Sequence, residues 1–172
     1  GYFSDFEQSP GGAEALDYLD TRGRTRNAHR NSWQWGIPVV GPGAAWGTGW
    51  GTNLLGRPHG GSTSSLYLPP VTVPFGADAE ISFDSWTSGN CCHTNRYLHV
   101  STDGEIWTEV AGFRSGQDGD RRAFDISAFP GDAVRFRFYA TGVDDWYVDD
   151  VAIGIDGKEP GQEDGGDACD DD

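Results

Sequence analysis

Residues 133–140 read AVRFRFYA. Val134, Phe136 and Phe138 fall on one side of an extended chain while Arg135, Arg137 and Tyr139 fall on the other, because successive side chains of a strand point to opposite faces. A strict two-residue period of this kind is what a half-buried antiparallel strand needs. It predicts one greasy face and one wet face. The same period recurs upstream and downstream. AEISFDSW (79–86) puts Ile81 and Phe83 together, and RYLHVSTDGEIWTEV (96–110) reads as two strands joined at Thr102-Asp103-Gly104 with Asp-Gly at the tip. Further strands are expected in YFSDFEQ, NSWQWGI, GWGTNLL, SSLYLPPVTV, RRAFDI and WYVDDVAI. AEALDYL (13–19) is the one stretch with a trace of helical spacing. It follows Pro10-Gly11-Gly12 and runs into TRGRTRNAHRN, too short and too uncapped to predict a helix. Roughly nine or ten short strands separated by Gly, Pro, Asn and Asp turns point to an all-β, two-sheet antiparallel sandwich.

Composition agrees. The chain has 172 residues with 26 Gly, 9 Pro, 7 Trp, 9 Phe and 6 Tyr and no Met, rich in strand and turn formers. That length suits one domain. The formal charge is −15, and residues 156–172 carry eight acids against the single Lys158. The body is therefore acidic too, which argues against nucleic acid or an anionic membrane surface as partner, since both need a basic footprint. No apolar run approaches the ~20 residues of a spanning helix. The opening GYFSDFE lacks a charged-then-apolar leader, as expected of a processed or excised exported segment. From residue 155 to 172 the chain is acidic and almost without apolar residues, which predicts a disordered linker after a body of residues 1–154.

The order of FE near the start, WQWGIPVVGPGAAWGTGWGTNLLG, SSLYLPPVTVP, VSTDGEIWTEV and a final WYVDDVAI resembles the jelly-roll domains appended to secreted bacterial metallopeptidases of the immune inhibitor A type. It is also similar to the cleaved-adhesin domains of gingipain proteases and, more distantly, to MAM domains. The resemblance covers about residues 2 to 154. It implies a jelly roll, concanavalin A-like or galactose-binding-like, working as a non-catalytic accessory module of a larger secreted or cell-surface protein, often with a structural calcium. The first functional expectation is attachment to a glycan or cell-surface ligand, by a monomeric unit beside neighbouring domains of its own polypeptide. The alternative is a structural domain that packs on a neighbouring protease or adhesin domain and has no small ligand. The segment EDGGDACDDD resembles the start of Asp-rich, Cys-containing calcium repeats.

WYVDDVAI carries the chemistry most in need of explanation. Strict alternation would place Asp149 and Asp150 on opposite faces, so one carboxylate would point into the core, and an ionised carboxylate buried without a partner is very costly. YFSDFEQ repeats the anomaly with Asp5 and Glu7. Hard carboxylate oxygens gathered from the first and last strands suit a six- to eight-coordinate calcium better than zinc or copper. Asp5, Glu7, Asp149 and Asp150 are therefore the expected metal ligands, the alternative being strand-end acids paired with arginines of the 22–30 loop.

Cys91-Cys92-His93 is the oddest triplet. A vicinal disulfide would make a rigid apolar knob beside His93, Asn95, Arg96 and Tyr97, a plausible ligand-facing surface; free thiols, or a link from one of them to Cys169, remain open. An oxidising compartment suits these cysteines better than a zinc site, which would find too few ligands at the right spacing. Trp33, Trp35, Trp46 and Trp50 crowd into eighteen residues. Most should pack in the core, whereas Trp46, between Ala45 and Gly47 with no strand pattern around it, is expected to be exposed and available to stack on a sugar ring. The run Arg22, Arg24, Arg26, His29 and Arg30 reads as a solvated loop or an anion site for acidic glycans or a partner domain. Catalysis is not expected: no G-x-S-x-G or H-E-x-x-H occurs, and Glu80 and Asp84 look like ordinary solvent-facing acids of one strand rather than a glycosidase pair.

Overall fold

In a computed structural model of the chain, residues 1–7, 9, 11–16, 18–19, 25–26, 33–36, 45–48, 64–88, 95–113, 118–141 and 145–156 are described. Among them every regular element is a strand. In chain order these are β1 (Tyr2–Ser4), β2 (Glu14–Leu16), β3 (Tyr18–Leu19), β4 (Thr25–Arg26), β5 (Gln34–Gly36), β6 (Ala45–Thr48) and β7 (Ser64–Tyr67). There follow β8 (Val71–Val73), β9 (Asp78–Ser88), β10 (Asn95–Ser101), β11 (Thr108–Gly112), β12 (Asp118–Asp125), β13 (Gly131–Thr141) and β14 (Asp145–Asp156). The fourteen strands among the described residues exceed the nine or ten expected. Part of the excess comes from SSLYLPPVTV, which breaks at Pro69-Pro70, and from AEALDYL, for which no element was predicted and which supplies two short strands. A proline cannot donate to a ladder, so two in succession end one strand before the next begins.

Two antiparallel sheets face each other. One runs β12-β9-β14-β6-β5, with β1 added beside β14; the other runs β11-β10-β13-β7-β2, with β8 beside β13. A small separate pair, β3 and β4, joins Tyr18 to Arg26 and Leu19 to Thr25. The long central strands β9, β13 and β14 carry the alternation read from the sequence. Ile81, Phe83, Val134, Phe136, Phe138, Trp146 and Val148 are buried between the sheets. Their aromatic rings make one continuous cluster, with Phe83 4.9 Å from Phe138, Trp146 5.7 Å from Phe138, and Trp33 5.3 Å from Trp146. Edge-to-face and tilted contacts of this kind add about 0.5–1.5 kcal/mol each to the area buried. The indole Nε1 of Trp146 donates to Ser85 Oγ at 3.0 Å, so the polar tip of the largest core side chain is satisfied.

Trp46 corrects an expectation. It lies in β6, opposite Val148 of β14 and Trp35 of β5, and is only 6% exposed within the core. Its glycine-rich flanks look like a loop, but strand formation here depends on docking beside β14, a non-local event that local propensity does not report. Trp33 is buried and Trp35 packs against the core, as expected; Trp50 lies outside the described residues.

The hairpin from β10 to β11 has a longer turn than its Asp-Gly tip suggests. The Asp103 carboxylate accepts from the backbone N–H of Glu105 (2.8 Å) and Ile106 (2.9 Å), and Gly104 takes φ +79°, a left-handed conformation glycine adopts without strain. The Ile106 and Glu105 bonds hold the Asp103 carboxyl below its ordinary pKa. This clipped turn delivers Trp107 to the outer face of the second sheet.

Candidate functional site: an aromatic and arginine platform, and a carboxylate cluster

The outward positions of β10, β13 and β7 fall side by side. Register pairs Tyr97 with Tyr139 and Ser65 in one row, and His99 with Arg137 and Tyr67 in the next. Tyr97 and His99 stack nearly parallel, 5.7 Å apart and 11° from coplanar, and His99 lies 5.0 Å from Tyr139. Trp107, from the hairpin turn, meets Tyr67 edge-on at 5.6 Å. Arg137 runs through the middle. Its guanidinium carbon sits 4.3 Å from the Trp107 ring centre and 4.9 Å from that of Tyr139, Nε donates to His99 Nδ1 at 3.0 Å, and Nη1 donates to the Tyr67 hydroxyl at 3.4 Å.

Partial burial, and next the positive charge of Arg137, push the His99 pKa from 6.5 down to about 4. The ring is therefore neutral above that pH, accepting at Nδ1 and leaving Nε2–H to donate. The face combines flat rings with aimed N–H donors, the equipment of a sugar-binding surface.

Of the residues singled out in the sequence for ligand contact, Tyr97 joins this platform. Asn95 is exposed at its end, where Nδ2 donates to Thr141 Oγ1 at 3.2 Å and Oδ1 accepts from the Tyr97 hydroxyl at 3.4 Å. Arg96 does not belong to it. It shares the inward phase of Leu98 and Val100 and is 3% exposed, because the alternation that turns Tyr97 out turns Arg96 in. His93 and Cys91-Cys92 lie outside the described residues, as do the side chains of the 22–30 basic run. His99, Arg137, Tyr139, Tyr67 and Trp107 were missed. The alternation of AVRFRFYA already put Arg137 and Tyr139 on one face, but only strand register shows that His99 and Tyr67 stand beside them.

The carboxylates form a second feature, on the outer face of the other sheet. β14 pairs with β9 as Asp149 with Asp84, and the ladder resumes as Ala152 with Ser82, so β14 carries one extra residue there. That is a β-bulge, and Asp150 adopts φ +48° within it. The bulge corrects the expectation that strict alternation must drive one carboxylate inward. Trp146 and Val148 point inward before it, Val151 and Ile153 after it, and the extra residue absorbs the change of phase.

Asp149 is nonetheless only 5% exposed, with Asp84 directly opposite. β6 flanks the first half of β14 and β1 the second, so the residues following β1 pass beside the bulge. Burial, followed by repulsion from Asp150, Glu7 and Asp84, pushes the Asp149 pKa up to about 7, against the backbone N–H of Asp150 that it accepts at 2.8 Å. Asp150 is raised as well, by burial, by Asp84 and more weakly by Asp5. Arg121 partly offsets this, donating to Asp84 Oδ1 (3.2 Å), the Asp150 carbonyl (2.6 Å) and Ser82 Oγ (2.9 Å). Asp5 and Glu7 are themselves exposed, and among the described residues no three His, Cys, Asp or Glu side chains converge closely enough to hold a metal ion as they stand.

No family model matches the chain. Among curated proteins it is similar to Bacillopeptidase F of Bacillus subtilis (strain 168), 29% identical over a 163-position alignment that covers 89% of this chain and 10% of that protein. The chain thus spans about a tenth of the length of the curated relative it matches. Among solved structures it resembles the CBM22-1 xylan-binding domain from Paenibacillus barcinonensis Xyn10C, with TM-score 0.60, 13% identity, and coverage of 91% of this chain and 94% of that one. It also resembles the K3 cleaved adhesin domain of Lys-gingipain from Porphyromonas gingivalis W83, with TM-score 0.58, 13% identity, and coverage of 88% and 95%. The architecture is the jelly-roll sandwich of carbohydrate-binding modules and cleaved adhesin domains.

Proposed function

We propose that this chain is a non-catalytic glycan-binding module of a larger secreted bacterial protein, holding its polypeptide on a polysaccharide or cell-surface glycan through the outer face of the β10–β13–β7 sheet. The platform of Tyr97, His99, Tyr139, Trp107 and Arg137 is the observation that carries this reading. Rings held on paired strands and on a turn clipped by Asp103 lose little entropy when a pyranose stacks on them, and the N–H groups among them can donate to sugar hydroxyls. The xylan-binding domain with the same fold supports the ligand class, and the match to about a tenth of a peptidase supports the accessory role.

The experiment is affinity electrophoresis through gels containing soluble polysaccharides. Wild type should be retarded by at least one of them, and Trp107→Ala, with its thermal unfolding little changed, should lose most of that retardation. If no polysaccharide retards the wild type, or Trp107→Ala binds as well as wild type, the platform is not a glycan site.

Calcium at the bulge belongs to the same proposal. The donor chemistry fits a hard cation. Asp149 is buried, faces another carboxylate and is driven toward protonation by that burial and by the acids around it, and Asp150, Asp84, Glu7 and Asp5 offer further oxygens within electrostatic reach. Glu7 and Asp5 would swing in from the surface. A bound ion would supply the missing charge and tie the first strand to the last.

A further inference from the structure

Arg137 is a half-buried cation in an acidic chain. Among the described residues its side chain has two hydrogen bonds, to His99 and Tyr67, and no carboxylate within ion-pair distance; the one described salt bridge belongs to Arg121. A guanidinium carries five N–H donors in a fixed planar fork, so three remain without a partner among the described residues. Its guanidinium carbon lies close to the ring centres of both Trp107 (4.3 Å) and Tyr139 (4.9 Å). Most of the rotamer entropy that an arginine loses on gripping a ligand has therefore already been lost in folding.

The immediate neighbours of Arg137 on this face carry no negative charge. His99 and Tyr67 flank it across the ladders and Arg135 stands roughly 7 Å along β13 as a second cation, while the acids of the same row, Glu109 beside His99 and Glu14 beside Tyr67, are each two strands, roughly 10 Å, away. A pre-aimed fork with spare donors matches the two oxygens of a carboxylate far better than a single hydroxyl.

We infer that the platform selects glycans bearing hexuronic acids, with the spare fork of Arg137 holding the sugar carboxylate while the neighbouring rings hold the pyranose. This rests on the reading of the platform as a glycan site, and names the class of sugar it takes.

The test is isothermal titration of wild type with polyglucuronate, polygalacturonate and alginate, each compared with its carboxyl-reduced, neutral form and with dextran sulfate. At least one polyuronate should bind about ten-fold or more tightly than its reduced form, the gain expected when neutral hydrogen bonds are replaced by a charge-assisted pair. Arg137→Gln should bring the two forms close to equal, and Arg137→Lys should restore only part of the difference. Equal binding of native and reduced polymers by wild type would overturn uronate selection while leaving the glycan site standing, and needs no variant that must fold. Dextran sulfate binding as tightly as every polyuronate would overturn it too, showing unselective attraction of anions. Binding to none of the polymers, native or reduced, would overturn both readings.

Discussion

Phe138→Ala tests whether the alternation along β13 has been assigned to the correct faces. Phe138 is fully buried, with Phe83, Trp146 and Trp33 at 4.9, 5.7 and 6.4 Å, so its ring stands where the two sheets meet. Truncating a buried Phe to Ala costs about 3–5 kcal/mol through lost transfer energy and the cavity left behind. Three aromatic partners that cannot all follow the retreating side chain place this site near the middle of that range, about 4 kcal/mol. For a domain of this size each kcal/mol moves the melting temperature by about 2–4 °C, which predicts a fall of about 8–16 °C. The control is Arg135→Ala, three residues earlier on the outward face, which should stay within about 0.5 kcal/mol of wild type. Thermal unfolding followed by far-ultraviolet circular dichroism, with urea melts for the free energies, measures both. Comparable losses from the two variants, or a Phe138→Ala loss below about 1.5 kcal/mol, would mean that Phe138 does not face the opposite sheet.

Metal-free protein should lose stability through Asp149 as pH rises from about 4 to about 7: the native carboxyl keeps a proton that the unfolded chain has already released at its ordinary 3.8, and giving it up near 7 costs stability. Asp149→Asn should therefore melt higher than wild type at pH 8 without metal. Calcium at a hundred times its dissociation constant should stabilise wild type by about 2.7 kcal/mol and leave this variant unmoved; equal melting with calcium and with EDTA in wild type would dismiss the ion. His99 acts with the opposite sign, since its native pKa lies below 6.5 and the unfolded chain protonates first, so stability falls as pH drops from 6.5 toward 4. His99→Gln should flatten that acid limb, and an unchanged limb would show that the ring is not held neutral. Peptide mapping of the unreduced chain should find Cys91 joined to Cys92, and a peptide linking either to Cys169 would exclude the vicinal bond.

Side-chain alternation is local, and so AVRFRFYA, AEISFDSW and RYLHV declared the strands, their core faces and the sandwich class without any knowledge of their neighbours. The crowd of acids in WYVDDVAI and YFSDFEQ was legible for the same reason: buried-looking strands with uncompensated charge are anomalous wherever they pair. Which strand lies beside which was not legible, because register is set by contacts between residues far apart in the chain. That is why Trp46 looked like a loop residue until β14 and β5 enclosed it, and why Arg96 looked like a surface residue until the phase of β10 turned it inward. It is also why a bulge at Asp149 and Asp150, rather than a carboxylate in the core, resolved the conflict in β14. The platform is the strongest case. Tyr67, His99, Trp107 and Arg137 come from three strands and a turn spread over seventy residues of sequence, and only the pairing of β10 and β7 on either side of β13 makes one surface of them.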